Sequence, residues 1–524
     1  MLENKVDNRR VVLWSGITLL ILGAVLLYNL THSGLRYDEA IEYWYSKIVS
    51  GPVPGGREYN SMYERICATY QPPLYNWLMH LWLQVWDTEF SFRAFGVVVT
   101  LLGSAGVFFA VLHVSKNLIW SSATTILYGV TYQIVYYTQE CSEYALMVCF
   151  VAWMMFFGVR LVDKLTIGNL AGFYSCAVLA VYSQYGAVFS VLGIWLVITW
   201  KVWKSKSKTI YAGYGIVSGL TLVLAVIPLL IFFLLPQMQM HVLAITENHI
   251  PEFNNNFVYD FICAVYNTFT WAFLREQQGL KSKIICLAAV AVIIVILFGL
   301  IKSKEKKEIT NSIIVINILI WMLFYILVKC KYYAYTPYIQ GFGNRYAIFF
   351  FPIWAVSLSI LLYFSVQSYW KSCRIWKLGK YAIVCACVMY VALNGYYIMN
   401  NWIKDDTREA TQAWYEIGAY DETTIVDGRS DCIFQYYLLH DEMYDEKYQD
   451  NLILAAYWTY EKFPIPEMQR QLNELFEGDF PQSFYYIVGK TDYIDSILAA
   501  IEGCGYTGES IYEGQSRLVR FTKE

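Results

Sequence analysis

The chain has 524 residues, of which 57% are hydrophobic and only 15% charged. Soluble domains usually carry about 25% charged residues, so this composition excludes an ordinary soluble enzyme and points to repeated membrane crossing. Charge is also split along the chain: residues 405–524 hold 24 of the 42 acidic residues but only nine of the 39 basic ones. The split predicts a net basic membrane domain over 1–404 and an acidic, water-soluble domain over 405–524.

The first apolar run, Val11 to Leu30, is long for a signal-peptide core and is not followed by an A-x-A cleavage site, so a retained helix is expected. A long outer loop, 31–92, comes next. It opens with "RYDEAIEYW", which places the adjacent carboxylates Asp38 and Glu39 just past the first crossing. Such a pair outside a span is also a favourable start for a helix. Farther along the loop, "PPLYNWLMHLWLQVW" (Pro72–Trp86) begins with two prolines suited to a helix start. Its Trp and Tyr content suits the headgroup level, and a helix lying in the interface is the preferred reading over a second short span.

Hydropathy predicts further spans at 93–114, 118–137, 143–162, 169–182, 185–203, 211–235, 283–301, 311–330, 346–366 and 380–399, making eleven with the first. "YSQYG" at 182–186 is read as the turn between two spans rather than a bend in one. With eleven, the basic clusters "NKVDNRR", "KVWKSKSK", "KSKEKK" and "KSCRIWKLGK" all fall on one face, which the positive-inside rule makes cytoplasmic. The tail then lies outside a multi-pass cell-membrane protein. Within it, "TTIVD", "LILAAY" and "FYYIVG" read as strands, and "DCIFQYYLLH", "PEMQRQLNELFE" and "DYIDSILAAIE" as helices. That order predicts a small α/β unit with a partly parallel sheet.

Several chemistries are excluded. The chain has no HExxH, P-loop or GxSxG motif, and its six histidines lack ligand spacing. Its twelve cysteines lie mostly in apolar runs without a CxxC pair, so neither a disulfide framework nor a zinc site is implied. Nothing calls for a nucleic-acid partner. What remains is a set of polar groups at the outer ends of spans: Asp38, Glu39, Gln71, Arg93, Glu140, Gln184, Tyr185 and Arg345. In this topology all share one face and are expected to line a cavity at the outer membrane surface. Ionisable groups at membrane depth are costly and are generally retained for use.

An acidic pair after the first span, "PPLY", "TEFSFRAFGVVVTLLG", "YYTQECSEYAL" and "GNRYAIFFFP" occur in that order. Together they resemble the GT-C-fold integral membrane glycosyltransferases, in the branch of protein O-mannosyltransferases and bacterial aminoarabinose transferases, over roughly residues 10–400. "DDTREATQAW" also resembles the opening of the outer domain in bacterial members. The resemblance implies a polytopic α-helical GT-C-like membrane domain. It also implies transfer of a sugar from a polyprenyl-phosphate-linked donor, at the outer leaflet among membrane lipids, to an extracytoplasmic glycan, lipid or protein. Asp38 is then the expected general base, with Glu39 shaping the acceptor site and Glu140 positioning acceptor or base. Arg345, with Arg93, Gln71, Gln184 and Tyr185, would bind donor phosphate or acceptor. A hydroxyl is a poor nucleophile near neutral pH, so a placed carboxylate helps it attack, and a departing phosphate wants a fixed cation.

The chain departs from the pattern in three places. Gln71 and Gln184 stand where many relatives have histidine, and Glu140-Cys141-Ser142 stands where many have Glu-Ala-Arg. No cofactor is firmly implied. A divalent metal is left open, but amides are poor ligands in place of imidazoles. The competing reading is a transporter or flippase of lipid-linked sugars, which would favour discontinuous helices, polar groups near the midplane and repeated halves.

Overall fold

The computed structural model describes residues 7–54, 58–69, 71–239, 257–273, 307–330, 342–370, 375–400, 405–455, 458 and 464–523. The chain opens with helix α1 (Asn8–Leu27), capped by Asp7, whose carboxylate accepts from the Arg9 amide. The loop after it carries three short helices: α2 (Tyr37–Lys47), α3 (Met62–Thr69) and α4 (Leu74–Val85). Helix α4 is the one expected after the paired prolines. Its 12 residues rise about 18 Å, which is too short for a hydrocarbon core of about 30 Å, so it is not a further span. Trp77, Leu81 and Val85 are exposed along one face of it.

The remaining membrane-domain helices follow in order: α5 (Glu89–Ser115), α6 (Leu118–Gly129), α7 (Tyr132–Thr138), α8 (Tyr144–Asp163), α9 (Ile167–Ser183) and α10 (Ala187–Ser205). Then come α11 (Lys208–Thr221), α12 (Phe257–Phe273), α13 (Lys307–Lys329), α14 (Phe350–Trp370) and α15 (Ile375–Asn400). Helix α11 runs on through wider π turns at Leu222–Val226 and Leu229–Leu234, on either side of Pro228, which has no amide hydrogen to give. Among the described residues, seven helices are long and apolar enough to cross a membrane. The protein is a multi-pass membrane protein. Leu222, Leu224, Ile231 and Phe232 on the α11 continuation are exposed, a surface suited to lipid rather than water. The expected span 283–301 lies outside the described residues, and the run 118–137 is broken between α6 and α7 around Val130 and Thr131.

The "YSQYG" stretch is a turn, as expected. Trp195 Nε1 on α10 donates to the Tyr174 hydroxyl on α9 (3.0 Å), and Thr199 on α10 bonds Tyr214 on α11 (2.7 Å). Each pair sits about equally far from the turn joining its helices, so α9, α10 and α11 fold back on one another. Helix α5 lies close against α7 and α8 through its glycines. A Cβ on Gly96 would stand 2.0 Å from the Thr138 carbonyl oxygen, and one on Gly103 would stand 2.8 Å from Cys149 Cα. Small residues at that spacing let membrane helices approach backbone to backbone.

Contacts divide the chain into two compact units. The first gathers Met1–Tyr28, Ile66–Leu78 and Arg93–Asn400; the second gathers Asn29–Arg65, Met79–Phe92 and Asn401–Glu524. The second unit is built on a five-stranded sheet in the order β2-β1-β3-β5-β4, formed by β1 (Thr424–Val426), β2 (Leu452–Leu454), β3 (Ser483–Val488), β4 (Tyr506–Glu513) and β5 (Arg517–Lys523). Strands β2, β1 and β3 are parallel, while β5 and β4 add antiparallel to the edge. Alternate β3 residues face opposite sides. Phe484, Tyr486 and Val488 pack with Met468, Leu472 and Ile497 of α18 (Ile465–Leu475) and α19 (Ile494–Glu502). Tyr485 and Ile487 pack with Trp414 and Phe434 of α16 (Thr407–Glu416) and α17 (Asp431–Leu439). The partly parallel α/β tail expected from sequence is present. The β4–β5 hairpin adds to it.

Candidate functional site

Asp38 and Glu39 belong to the second unit, at the start of α2. Glu39 is fully buried, and its Oε2 accepts from the Arg36 amide (3.0 Å), closing the first turn from within. Asp38 turns elsewhere: its side chain is 35% exposed and ion-paired with Arg36 at 3.3 Å. Glu42 and Tyr45 follow Asp38 at four and seven residues, so the three share a face of α2. Glu42 is buried too.

The tail holds α2 in place. Trp44 Nε1 donates to the Cys432 carbonyl (2.8 Å), at the start of α17. Leu35 N donates to the Tyr437 hydroxyl (2.7 Å), and Arg408 donates to the carbonyls of Thr31 and His32 (both 2.8 Å). Beside them, the Tyr43 hydroxyl lies 3.0 Å from Asp87 Oδ1 and 3.2 Å from His440 Nε2, and Lys47 is ion-paired with Asp87. Burial alone would raise Asp87. The hydrogen bonds from His440 and Lys47, the Lys47 charge and the Tyr43 hydroxyl outweigh it and bring Asp87 down to about 2. Asp427, at the carboxyl end of β1, goes the other way. Burial pushes it up to about 6 against the Arg429 amide and the Tyr486 hydroxyl that bond it.

The other six expected residues lie in the first unit. Arg93 is buried on α5, three residues before Gly96, whose backbone touches Thr138. Glu140, also buried, follows Thr138 by two residues in the break before α8. Both charges therefore flank the same close contact between α5 and α7. Thr100 and Thr138 hydroxyls pair across it (2.8 Å), and Gln139 Nε2 closes the end of α1 by donating to the Leu26 and Tyr28 carbonyls. Arg345 lies in a short 3-10 turn (Phe342–Ala347), with its guanidinium carbon 5.7 Å from the ring centre of Tyr144 and 5.5 Å from that of Tyr346. Tyr144 begins α8, so the "YYTQECSEYAL" and "GNRY" motifs meet there.

Gln71 and Tyr185 are tied together through a residue that sequence reasoning missed. Gln237 is fully buried; its Oε1 accepts from the Tyr185 hydroxyl (2.7 Å), and its Nε2 donates to the carbonyls of Gln71 (2.7 Å) and Ile66 (2.9 Å). The Gln184 side chain accepts from the Gly186 amide and turns the chain between α9 and α10. The available signal was slight: Gln237 follows Pro236 at the end of a long apolar run. Among the described residues, no group of three or more His, Cys, Asp or Glu side chains is arranged to hold a metal ion. The divalent metal left open above finds no ligand set there.

A solved structure of ArnT from Cupriavidus metallidurans in the apo state matches with a TM-score of 0.52 and 12% identity, covering 97% of both chains. The chain has the ArnT fold. This is the GT-C-like architecture with a C-terminal α/β domain that the ordered motifs anticipated. A second ArnT structure, bound to undecaprenyl phosphate, aligns at TM-score 0.49 and 11% identity over 97% of this chain and 98% of that one. No family model matches the chain, and no curated protein is similar to it in sequence.

Proposed function

We propose that this protein is a glycosyltransferase that moves a sugar from a polyprenyl-phosphate-linked donor to a hydroxyl of an extracytoplasmic acceptor. The acceptor oxygen bonds to the anomeric carbon, and the bond from that carbon to the phosphate oxygen breaks. The proton passes to the Asp38 carboxylate, and polyprenyl phosphate departs with the bonding electrons. Arg345, with Arg93, neutralises the departing phosphate. Glu140 positions acceptor or base, and Gln71, Gln184 and Tyr185 help to bind donor phosphate or acceptor. Glu39 acts as a positioning residue, fixing the turn of helix that aims Asp38. The N-terminus is cytoplasmic and the tail extracytoplasmic, the arrangement favoured by the basic clusters.

The observation that carries this reading is the coincidence of two independent things. The ordered motifs resemble the GT-C transferases in sequence, and the chain shares its fold with ArnT over nearly its whole length. Fold alone does not fix function, which is why the motif residues matter. Radiolabelled polyprenyl-phosphate sugar supplied to vesicles containing the purified protein, with envelope extract as acceptor source, tests it. Wild type and Glu39→Gln, which keeps the acceptor to the Arg36 amide, are expected to form a new glycosidic product. Asp38→Asn is expected to lose at least a hundredfold in rate, within the range that general-base catalysis supplies. Full activity of Asp38→Asn, or movement of lipid-linked sugar without a new bond, would overturn the assignment.

A further inference from the structure

Arg65 stands out among the charged side chains of the second unit. It is 1% exposed, one of the largest fully buried side chains. Its Nε, Nη1 and Nη2 have no hydrogen-bond partner among the described residues. Buried polar groups are nearly always bonded, and a buried charge is tolerated only when paired and hydrogen-bonded. Five N–H donors in a rigid planar fork match the two oxygens of a carboxylate or phosphate.

The surroundings narrow the ligand. The Arg65 guanidinium carbon lies 5.6 Å from the ring centre of Tyr45, and the Tyr59 ring meets Tyr45 edge-on at 6.2 Å. Tyr59 is held by an antiparallel bridge to Gly51, with amide–carbonyl distances of 2.8 and 3.2 Å. Burial lowers Arg65, while the fields of Tyr45, Tyr59 and Glu42 favour its charged form. Glu42 and Tyr45 lie on the Asp38 face of α2, and Tyr45 is seven residues from Asp38. Seven helical residues span about 10 Å. One acceptor can therefore meet Asp38 with its hydroxyl while an anionic group elsewhere on it reaches the Arg65–Tyr45 pair.

We propose that Arg65, with the Tyr45 and Tyr59 rings, forms a subsite for an anionic group, phosphate or carboxylate, on the sugar acceptor. The assignment rests on the transferase reading above and deepens it: the acceptor is an anionic glycan or a phosphorylated sugar, gripped away from its reacting hydroxyl.

The test uses the full chain purified in detergent, with thermal unfolding as the readout and four probes: glucuronate, glucose 1-phosphate, methyl glucoside and undecaprenyl phosphate. Glucuronate or glucose 1-phosphate is expected to raise the wild-type Tm, and methyl glucoside to leave it unchanged. Arg65→Gln is expected to lose that rise while keeping the response to undecaprenyl phosphate. Without a probe it should unfold no lower than wild type, because the charge it removes has no hydrogen bond among the described residues. If Arg65→Gln does not fold, Arg65→Lys, which keeps the charge but not the fork, is expected to bind the anionic sugar at least tenfold more weakly. Anionic sugars that shift wild type and the Arg65 variant equally would overturn the subsite. So would loss of the undecaprenyl phosphate response alone, which would give Arg65 to the donor. Arg65-dependent binding of anionic sugars with no effect of undecaprenyl phosphate would support the subsite and overturn the transferase reading.

Discussion

Trp44→Phe isolates the grip of the tail on the helix that carries Asp38. The indole is buried, with 5% of its surface exposed, and donates to the Cys432 carbonyl at 2.8 Å. Phenylalanine fills most of the same space but cannot donate, so α2 loses this bond, while the Cys432 carbonyl, inside α17, keeps its place in the helical ladder. That costs about 0.5–1.5 kcal/mol, which corresponds to a change of about 2- to 12-fold in a local opening equilibrium. Hydrogen exchange read by mass spectrometry on the full chain in detergent should show α2 amides exchanging faster by that factor, while α8 and α13 are unchanged. The sugar-transfer rate should fall with unaltered affinity for the donor, because the base is less often in position. Unchanged exchange in α2 would refute the idea that this hydrogen bond secures the helix. Faster exchange with a full transfer rate would refute the link from tail to chemistry.

Two further outcomes follow from the geometry. The Asp427 carboxyl keeps its proton to about pH 6 in the folded protein, whereas an unfolded aspartate releases it near 3.8. Its stabilisation is therefore fully present below about pH 3.8 and lost as pH rises through about 6, a change of ~3 kcal/mol. Asp427→Asn should flatten the Tm-against-pH curve over that window, and parallel curves would exclude Asp427 as the source. Gln237→Leu removes the Gln237 hydrogen bonds to the Tyr185 hydroxyl and to the Gln71 and Ile66 carbonyls. It should cost at least ~2 kcal/mol, seen as a lower Tm in detergent, and a Tm equal to wild type would show those groups finding other partners.

Long apolar runs and basic clusters made the membrane helices legible, because a lipid-crossing segment needs length and apolarity and little else. The strands of the parallel half of the tail were legible because "TTIVD" and "FYYIVG" are buried on both sides and read as continuous apolar runs. Strands β4 and β5 were not legible. β4 is an edge strand whose Thr507, Glu509 and Ser510 are exposed, so its composition resembles a loop. The break between α6 and α7 was hidden because its cause is tertiary. Asn394 on α15 accepts from the Tyr132 amide (2.7 Å), and Tyr390 bonds Thr131 (2.8 Å), so the turn is satisfied from more than 250 residues away. Arg65 and Gln237 escaped for the same reason. A lone polar residue carries no periodicity, and its meaning lies in which partners it meets, or lacks, after folding.

The acidic pair shows what one level of reasoning adds to another. The resemblance gives Asp38 and Glu39 different roles, and helix geometry supplies a reason: successive residues on a helix point about 100° apart, so the two face different surroundings. Glu39 is sealed from solvent and spends its oxygen on the Arg36 amide. It fixes where the helix begins, and hence which way the next stripe of side chains faces. Asp38 heads that stripe, a third exposed and oriented by the Arg36 guanidinium, with Glu42 and Tyr45 farther along and the Arg65 guanidinium of α3 beside the Tyr45 ring. A base must hand its proton onward after each turnover, and among the two only Asp38 retains access to do so. On the proposed reading, α2 divides the roles between a buried carboxylate that sets the geometry and an accessible one placed to take a proton, while the Arg65 cation of α3, beside Tyr45, would hold the charged group of the acceptor.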